Sequence, residues 1–214
     1  MLYGIIGDKS YRIERVMEMT LVVVTGMPGS GSSTVIKEAL RLIEGRSGSK
    51  RGKSEYSVRN YGDIMYEAAR EEGIVSNRDE LRRLSVEKQR EIQLHACDKI
   101  AEWRRSTEHI IIDTHCTIKT PTGYLPGLPE YVLRKLKPDM FVLIEAKPEE
   151  ILERRHRDRT RERDVEDKSG IEEHQFMNRA VSMAYACLTG APVKIIENHD
   201  GGLGKAAQEL ANLL

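Results

Sequence analysis

One stretch constrains this chain more than any other: LVVVTGMPGSGSST, residues 21–34. An apolar, β-branched run passes directly into a glycine-rich turn and then into a helix start. Gly26 and Gly31 stand at the spacing of the GxxxxGK[ST] phosphate loop. Glycines let the backbone turn tightly and aim N–H groups inward, and the helix N-terminus adds partial positive charge. The loop Gly26, Pro28, Gly29, Ser30, Gly31, Ser32, Ser33 and Thr34 is therefore the expected cradle for a nucleoside triphosphate. The main chain from Gly29 to Thr34 would meet the β- and γ-phosphates, and the Ser33 hydroxyl is placed to reach Mg²⁺. A ligand-free βα turn is the competing reading, and the complete strand–loop–helix setting weighs against it.

One position departs from the motif. Ser32 stands where a lysine normally touches the β- and γ-phosphates. Losing one preorganised donor costs on the order of 3 kcal/mol of transition-state stabilisation. Binding thus follows from the loop, while catalysis needs other cations.

The rest of the chain alternates short β-rich runs with amphipathic stretches, the pattern of parallel strands joined by helical crossovers. Strands are expected at Leu21 to Thr25, Tyr56 to Asn60, His109 to Asp113, Met140 to Glu145 and Val193 to Glu197. Helices are expected near Ser33 to Glu44, Ile64 to Glu72, Val86 to Trp103, Glu149 to Asp158, Glu172 to Leu188 and Leu203 to Leu213, with Gly73 and Gly190 as C-caps. The first, third and fourth strands are nearly continuous apolar runs, as strands covered on both faces require. The expected architecture is α/β, a three-layer doubly wound five-stranded parallel sheet. Gly45 to Ser54, GRSGSKRGKS, predicts a mobile surface connection.

The chain has 214 residues, which suits one such domain, 19–214, after an N-terminal extension at 1–18. Met17 and Met19 both precede the first strand, which leaves an extended or misplaced start open. Charged residues make up 32% of the chain at zero net charge, so any anion site must be local, and neither nucleic acid nor membrane is an expected partner. No apolar run approaches the length of a membrane span. Cys97, Cys116 and Cys187 form no CxxC pair. They read as reduced, buried thiols in a cytoplasmic protein.

Cations are concentrated at Arg154 to Asp164, RRHRDRTRERD, with six arginines against three carboxylates. Guanidinium forks match phosphate oxygens, so this segment suits a lid over a transferring phosphoryl group. The alternative is a solvated helix of i,i+4 ion pairs. Asp113 ends its strand in IIIDTH, where a carboxylate faces the ligand crevice of a doubly wound sheet and could hold Mg²⁺. It could equally be an ordinary strand-ending residue. Beside it, His115 could orient a phosphate, although a turn cap is the favoured reading.

These residues carry a family resemblance. From about Met19 onward the chain resembles the archaeal type of adenylate kinase, a P-loop nucleoside monophosphate kinase. The stretches that carry it are NYGDIMYEAAREEG, NRDELRRLSVEKQ, DTHCTIKTPTGYLPGLP, RHRDRTRERD and EHQFMNRAVSMAYACLTGAPVKIIEN. The resemblance implies reversible phosphoryl transfer from Mg·ATP to AMP, giving two ADP, by a cytoplasmic enzyme that is often a trimer. It implies an acceptor lobe at about 61–105 and a lid at about 154–170. Gly62, Asp63 and Met65 match the start of the acceptor helix, and Arg78, Asp79 and Arg82 the element beneath the monophosphate. Arg82 and Lys119 are the expected ligands of the AMP phosphate. Arg154, Arg157, Asp158, Arg161 and Arg163 match the lid. Arg154 is suited to stacking on adenine, and Arg157, Arg161 and Arg163 to the γ-phosphoryl group. Asn198 matches the loop that meets the adenine edge. The family varies at the lysine position, and the zinc-binding cysteines of some other adenylate kinase lids have no counterpart here, so no zinc is expected.

With two nucleotides aligned, direct in-line transfer needs no covalent intermediate. Two rivals remain at this level: a P-loop kinase for another nucleoside monophosphate or small acceptor, and a catalytically degenerate nucleotide-binding protein such as a ribosome-assembly factor.

Overall fold

The computed structural model describes residues 20–46, 56–106, 109–120, 122–157 and 167–214, with the backbone alone for Arg46, Asp79, Arg82 and Ser106. The N-terminal extension lies outside these residues, as does most of the expected surface connection.

The sheet is built from β1 (Thr20–Gly26), β2 (Tyr56–Asn60), β3 (His109–Thr114), β6 (Met140–Glu145) and β7 (Val193–Glu197). Its order is β2-β3-β1-β6-β7 and every pairing is parallel. Val22 of β1 is paired with Ile111 on one side and Met140 on the other. The doubly wound sheet expected from the alternating pattern is present. Leu21, Val22, Val23 and Val24 are buried on both faces, which is why β1 reads as an unbroken apolar run.

Side chains alternate across the sheet and divide the core in two. Leu21, Val23, Ile110, Ile112 and Phe141 face α2 (Tyr61–Glu71), α3 (Val86–Ser106), α4 (Glu130–Leu136) and α6 (Lys168–Thr189). Val22, Val24, Ile111, Val142 and Ile144 face α1 (Ser32–Arg46) and α7 (Leu203–Leu213). A third cluster, Met27, Ala146, Ile151 and Ile171, seats α5 (Pro148–Arg157) against the first loop.

Helix α1 continues through Gly45 and Arg46, two residues into the segment expected to be loop. Gly190 caps α6, whereas α2 is capped by Glu72 and Gly73 follows it. The structure also adds elements the periodicity does not show. These are a 3₁₀ turn, Arg78–Arg83, a hairpin of β4 (Thr117–Thr120) and β5 (Gly123–Pro126), and the seven-residue α4. Each is too short to display a period of its own. Of the three thiols, Cys97 and Cys116 are buried as expected, but Cys187 is exposed on α6.

Candidate functional site

Gly26, Asn60, Asp113, Ala146 and Asn198 all lie at or just beyond the carboxyl ends of the five strands, the edge where doubly wound sheets bind ligands. Central β1 leads into α1 on one face of the sheet while its neighbours β3 and β6 lead to α4 and α6 on the other, and this gathers them there.

The loop from Gly26 to Thr34 runs from the end of β1 into the first turn of α1. A Cβ on Gly26 would stand 2.3 Å from the Ser30 Oγ, which is turned inward and fully buried. Ser30 N–H donates to Met27 O at 3.0 Å, closing the turn. Gly29 and Gly31 have φ of +97° and +86°, so the loop depends on glycine at both. Thr34 sits exposed on the first turn of α1.

Asp113 reaches the far end of the loop. Its Oδ2 accepts from the Ser33 hydroxyl at 2.6 Å and its Oδ1 from the Ser32 hydroxyl at 3.3 Å. The serine in the lysine position is therefore drawn into the same carboxylate as its neighbour. Ser33 and Asp113 offer only oxygen donors, as Mg²⁺ prefers, and leave room for the waters and phosphate oxygens that usually complete its shell. The residues present fit the ion. The His115 ring bonds Gly26 O through Nδ1 at 3.0 Å, so it ties the end of β3 to the loop rather than capping its own turn.

Behind the loop stands α5. Arg154 donates to Asn198 O at 2.9 Å, to Asp200 at 2.6 Å, to Ser30 O at 3.3 Å and to Gly29 O at 3.4 Å. Asn198 Nδ2 donates to Ser30 O at 2.8 Å. Arg155 Nε donates to Pro28 O at 2.7 Å. Arg154 and Asn198 are thus brought to the loop itself. Arg155 and Asp200 were not singled out in the sequence; the arginine-rich composition held Arg155 in plain view but not its direction.

The loop after β7 has an ionic anchor of its own. His199 Nδ1 lies 3.0 Å from Glu150 and its Nε2 3.2 Å from Glu197, while Asp200 N–H donates to Glu150 at 3.0 Å. Desolvation opposes the Glu150 charge, but the Asp200 N–H, the His199 ring and the Lys147 N–H outweigh it and hold the carboxyl at about 2. The hydrogen bond to Glu150 raises the His199 pKa above its ordinary value, against slight desolvation and with help from Glu197.

On the opposite side, Asn60 caps α2 by accepting from Asp63 N–H at 3.2 Å. Arg78 pairs with Asp63 and donates to Asn60 Oδ1 at 3.3 Å, closing over Gly62. Arg82 lies on the 3₁₀ turn, with its side chain outside the described residues. Lys119 is on β4, its ammonium 5.7 Å from the centre of the Tyr124 ring. A buried set from α6 holds this hairpin: Asn178 accepts from Thr117 Oγ1 at 2.5 Å, and Tyr185 OH donates to Cys116 O at 2.9 Å.

Of the expected lid, Arg157 ends α5 and is paired with Glu153 at 2.9 Å on an exposed surface. Asp158, Arg161 and Arg163 lie outside the described residues. Among the described residues no helix is long and apolar enough to cross a membrane.

Residues 25–172 match a family model described as an AAA domain. The fold is similar to that of a shikimate kinase from Acinetobacter baumannii in complex with shikimate, at a TM-score of 0.55 and 15% identity over 91% of this chain and 92% of that one. It is also similar to TT1252 from Thermus thermophilus, at a TM-score of 0.52 and 14% identity over 92% and 96%. Those likenesses concern the fold alone. Sequence similarity goes further. The adenylate kinase of Methanopyrus kandleri is 55% identical over 88% of this chain and 94% of its own length. That of Methanothermobacter thermautotrophicus is 52% identical over 92% of this chain and 100% of its own, and that of Methanocaldococcus jannaschii 50% over the same shares. With half its residues shared with these proteins across nearly their whole length, the chain belongs to the archaeal adenylate kinases and is a phosphotransferase.

Proposed function

We propose that this enzyme transfers the terminal phosphoryl group of Mg·ATP to AMP, reversibly, giving two ADP. The observation that carries the reading is the Asp113 carboxylate at the mouth of the phosphate loop, 2.6 Å from the Ser33 hydroxyl. In this reading Ser33 and Asp113 hold Mg²⁺, which when bound neutralises charge on the β- and γ-phosphates. Gly26, Pro28, Gly29, Ser30, Gly31, Ser32 and Thr34 form the cradle. Its N–H groups and the α1 N-terminus supply fixed partial charge that costs no reorganisation during transfer. Arg154 and Asn198 bound the adenine end.

Gly62, Asp63, Arg82 and Lys119 bind AMP and bring its phosphate into line with the donor. Arg157, Arg161 and Arg163 close on the transferring group and exclude water that would otherwise hydrolyse ATP. Positioning and charge neutralisation carry the chemistry, so no covalent intermediate is needed. We expect no zinc dependence, because none of Cys97, Cys116 and Cys187 lies near the expected lid segment Arg154 to Asp164. The domain spans 19–214, with its acceptor lobe at about 61–105 and its lid at about 154–170. The enzyme acts in the cytoplasm, as a homo-oligomer for which the family resemblance favours a trimer. Exposed Phe176, Met183 and Leu188 along α6 are apolar surface consistent with association.

ADP formation from ATP and AMP by the purified protein tests the reading. Mg²⁺-dependent production of two ADP per ATP is expected, and ATP hydrolysis without transfer to AMP overturns it. Sedimentation velocity decides the subunit number.

A further inference from the structure

Three successive carbonyls of the phosphate loop, Pro28, Gly29 and Ser30, accept hydrogen bonds from side chains standing behind the loop. Arg155 from α5 takes the first at 2.7 Å, Arg154 the second at 3.4 Å, and Arg154 and Asn198 share the third at 3.3 and 2.8 Å. The described residues contain no cis peptide. In a trans peptide the carbonyl and the following N–H point in opposite directions. Holding Pro28 O and Ser30 O rearward therefore aims the N–H groups of Gly29 and Gly31 forward. These are the two residues whose positive φ shapes the concavity.

Arg155 is placed by the packing of the helix that carries it. Ile151, one turn earlier on α5, is buried among Met27, Ala146 and Ile171 and seats the helix against the loop. The Arg155 Cγ would lie 3.2 Å from a Cβ on Gly29, so its aliphatic stem covers the back of that glycine. Its Nε then makes a charge-assisted bond, stronger than a neutral one. A cation on the carbonyl polarises the peptide, and the N–H at its other end becomes a better donor. In a loop with serine in the lysine position, that route brings positive charge to the phosphates through the main chain.

We propose that Arg155 is a positioning residue for donor binding: it fixes and polarises the peptide between Pro28 and Gly29 so that the Gly29 N–H meets the polyphosphate. The inference rests on the reading of the loop as the triphosphate site. Because α5 leads directly toward the expected lid, the same contact joins the lid's root to the cradle.

The test compares the native enzyme with Arg155→Met, which keeps the stem and removes the donor, and with Arg155→Lys. Calorimetric binding of inorganic tripolyphosphate and of ATP is measured with the KM for AMP and the melting temperature. Arg155→Met is expected to weaken tripolyphosphate and ATP by the same factor, about tenfold for one charged hydrogen bond. The AMP KM stays unchanged, and Arg155→Lys recovers part of the affinity. Native-like tripolyphosphate binding by Arg155→Met overturns the proposal. So does an equal loss for AMP, or a melting temperature lowered alongside both, because either marks a structural role. If the native enzyme binds ATP but not tripolyphosphate, the loop reading itself fails, whatever Arg155 does.

Discussion

The two sides of the crevice are built differently. On the donor side the backbone is the binding surface, and buried or half-buried groups hold it from behind: Asn198, Arg154 and Arg155 on the loop carbonyls, and Asp113 on two serine hydroxyls. On the acceptor side the exposed Arg78–Asp63 pair closes over α2, and Lys119 stands on an exposed strand edge. Exposed ion pairs contribute little to stability, about 0–1 kcal/mol each. Preorganisation is thus concentrated where the charge is highest, and the acceptor side keeps side chains that can rearrange around a smaller ligand.

The comparison can be broken by substitutions on each side. The largest effect belongs to Asp113→Asn, which keeps the shape and removes the charge beside Ser33. It should lower kcat by about 10²- to 10³-fold, with a steeper Mg²⁺ requirement in steady-state assays. Full activity at ordinary Mg²⁺ would remove Asp113 from the site.

Next comes a pair of alanine substitutions. Gly31→Ala must hold an L side chain at φ +86° and place its Cβ 2.6 Å from Asn198 Nδ2. It should lose about 1–2 kcal/mol in urea unfolding and weaken ATP binding severalfold. Gly62→Ala meets the far end of the flexible Arg78 side chain at 2.5 Å, within a helix that alanine favours. It should keep or gain up to about 1 kcal/mol while raising the AMP KM. Equal destabilisation by the two variants would erase the contrast between the sides.

Lys119→Met should raise the AMP KM about tenfold by removing one charged contact, with ATP affinity and stability unchanged. A parallel change in ATP affinity would show that Lys119 serves both nucleotides.

The smallest effect is a pH dependence. The His199 pKa is raised by Glu150 and Glu197, so its ionic anchoring of the loop after β7 is complete below about 6.5 and is lost as the pH rises through the raised value. Glu150, held at about 2, stays charged throughout that range. The ATP KM should drift upward by less than about threefold across the transition. His199→Asn should flatten the profile, and an unchanged profile in that variant would place the titration elsewhere.

Legibility followed length and periodicity. Strands such as Ile110–Ile112 and Phe141–Ile144 are buried on both faces, and their unbroken apolar runs are visible without any partner. The hairpin of β4 and β5 has largely exposed four-residue strands and is held by Asn178 on Thr117 and by Tyr185 on Cys116, 61 and 69 residues away, which no local pattern reveals. His115 shows the same limit within the site. Its neighbours suggested a turn cap, but its hydrogen-bond partner is Gly26 on the adjacent strand.

The amino-acid sequence by itself determined that β1 runs into a phosphate loop, that the loop lacks its lysine, and that Asp113 stands near the carboxyl end of a strand, which proves to lie beside β1 and to continue to Thr114. Those are properties of residue type and spacing along one strand–loop–helix unit. Only the tertiary structure decided which cations stand behind the loop. Arg154 and Arg155 are adjacent in the chain but reach different carbonyls, and they do so because Ile151 is buried against Met27 and carries α5 to that place. The direction of a long side chain depends on the packing beneath it, so a run of arginines states how much charge is present and leaves its aim to the fold.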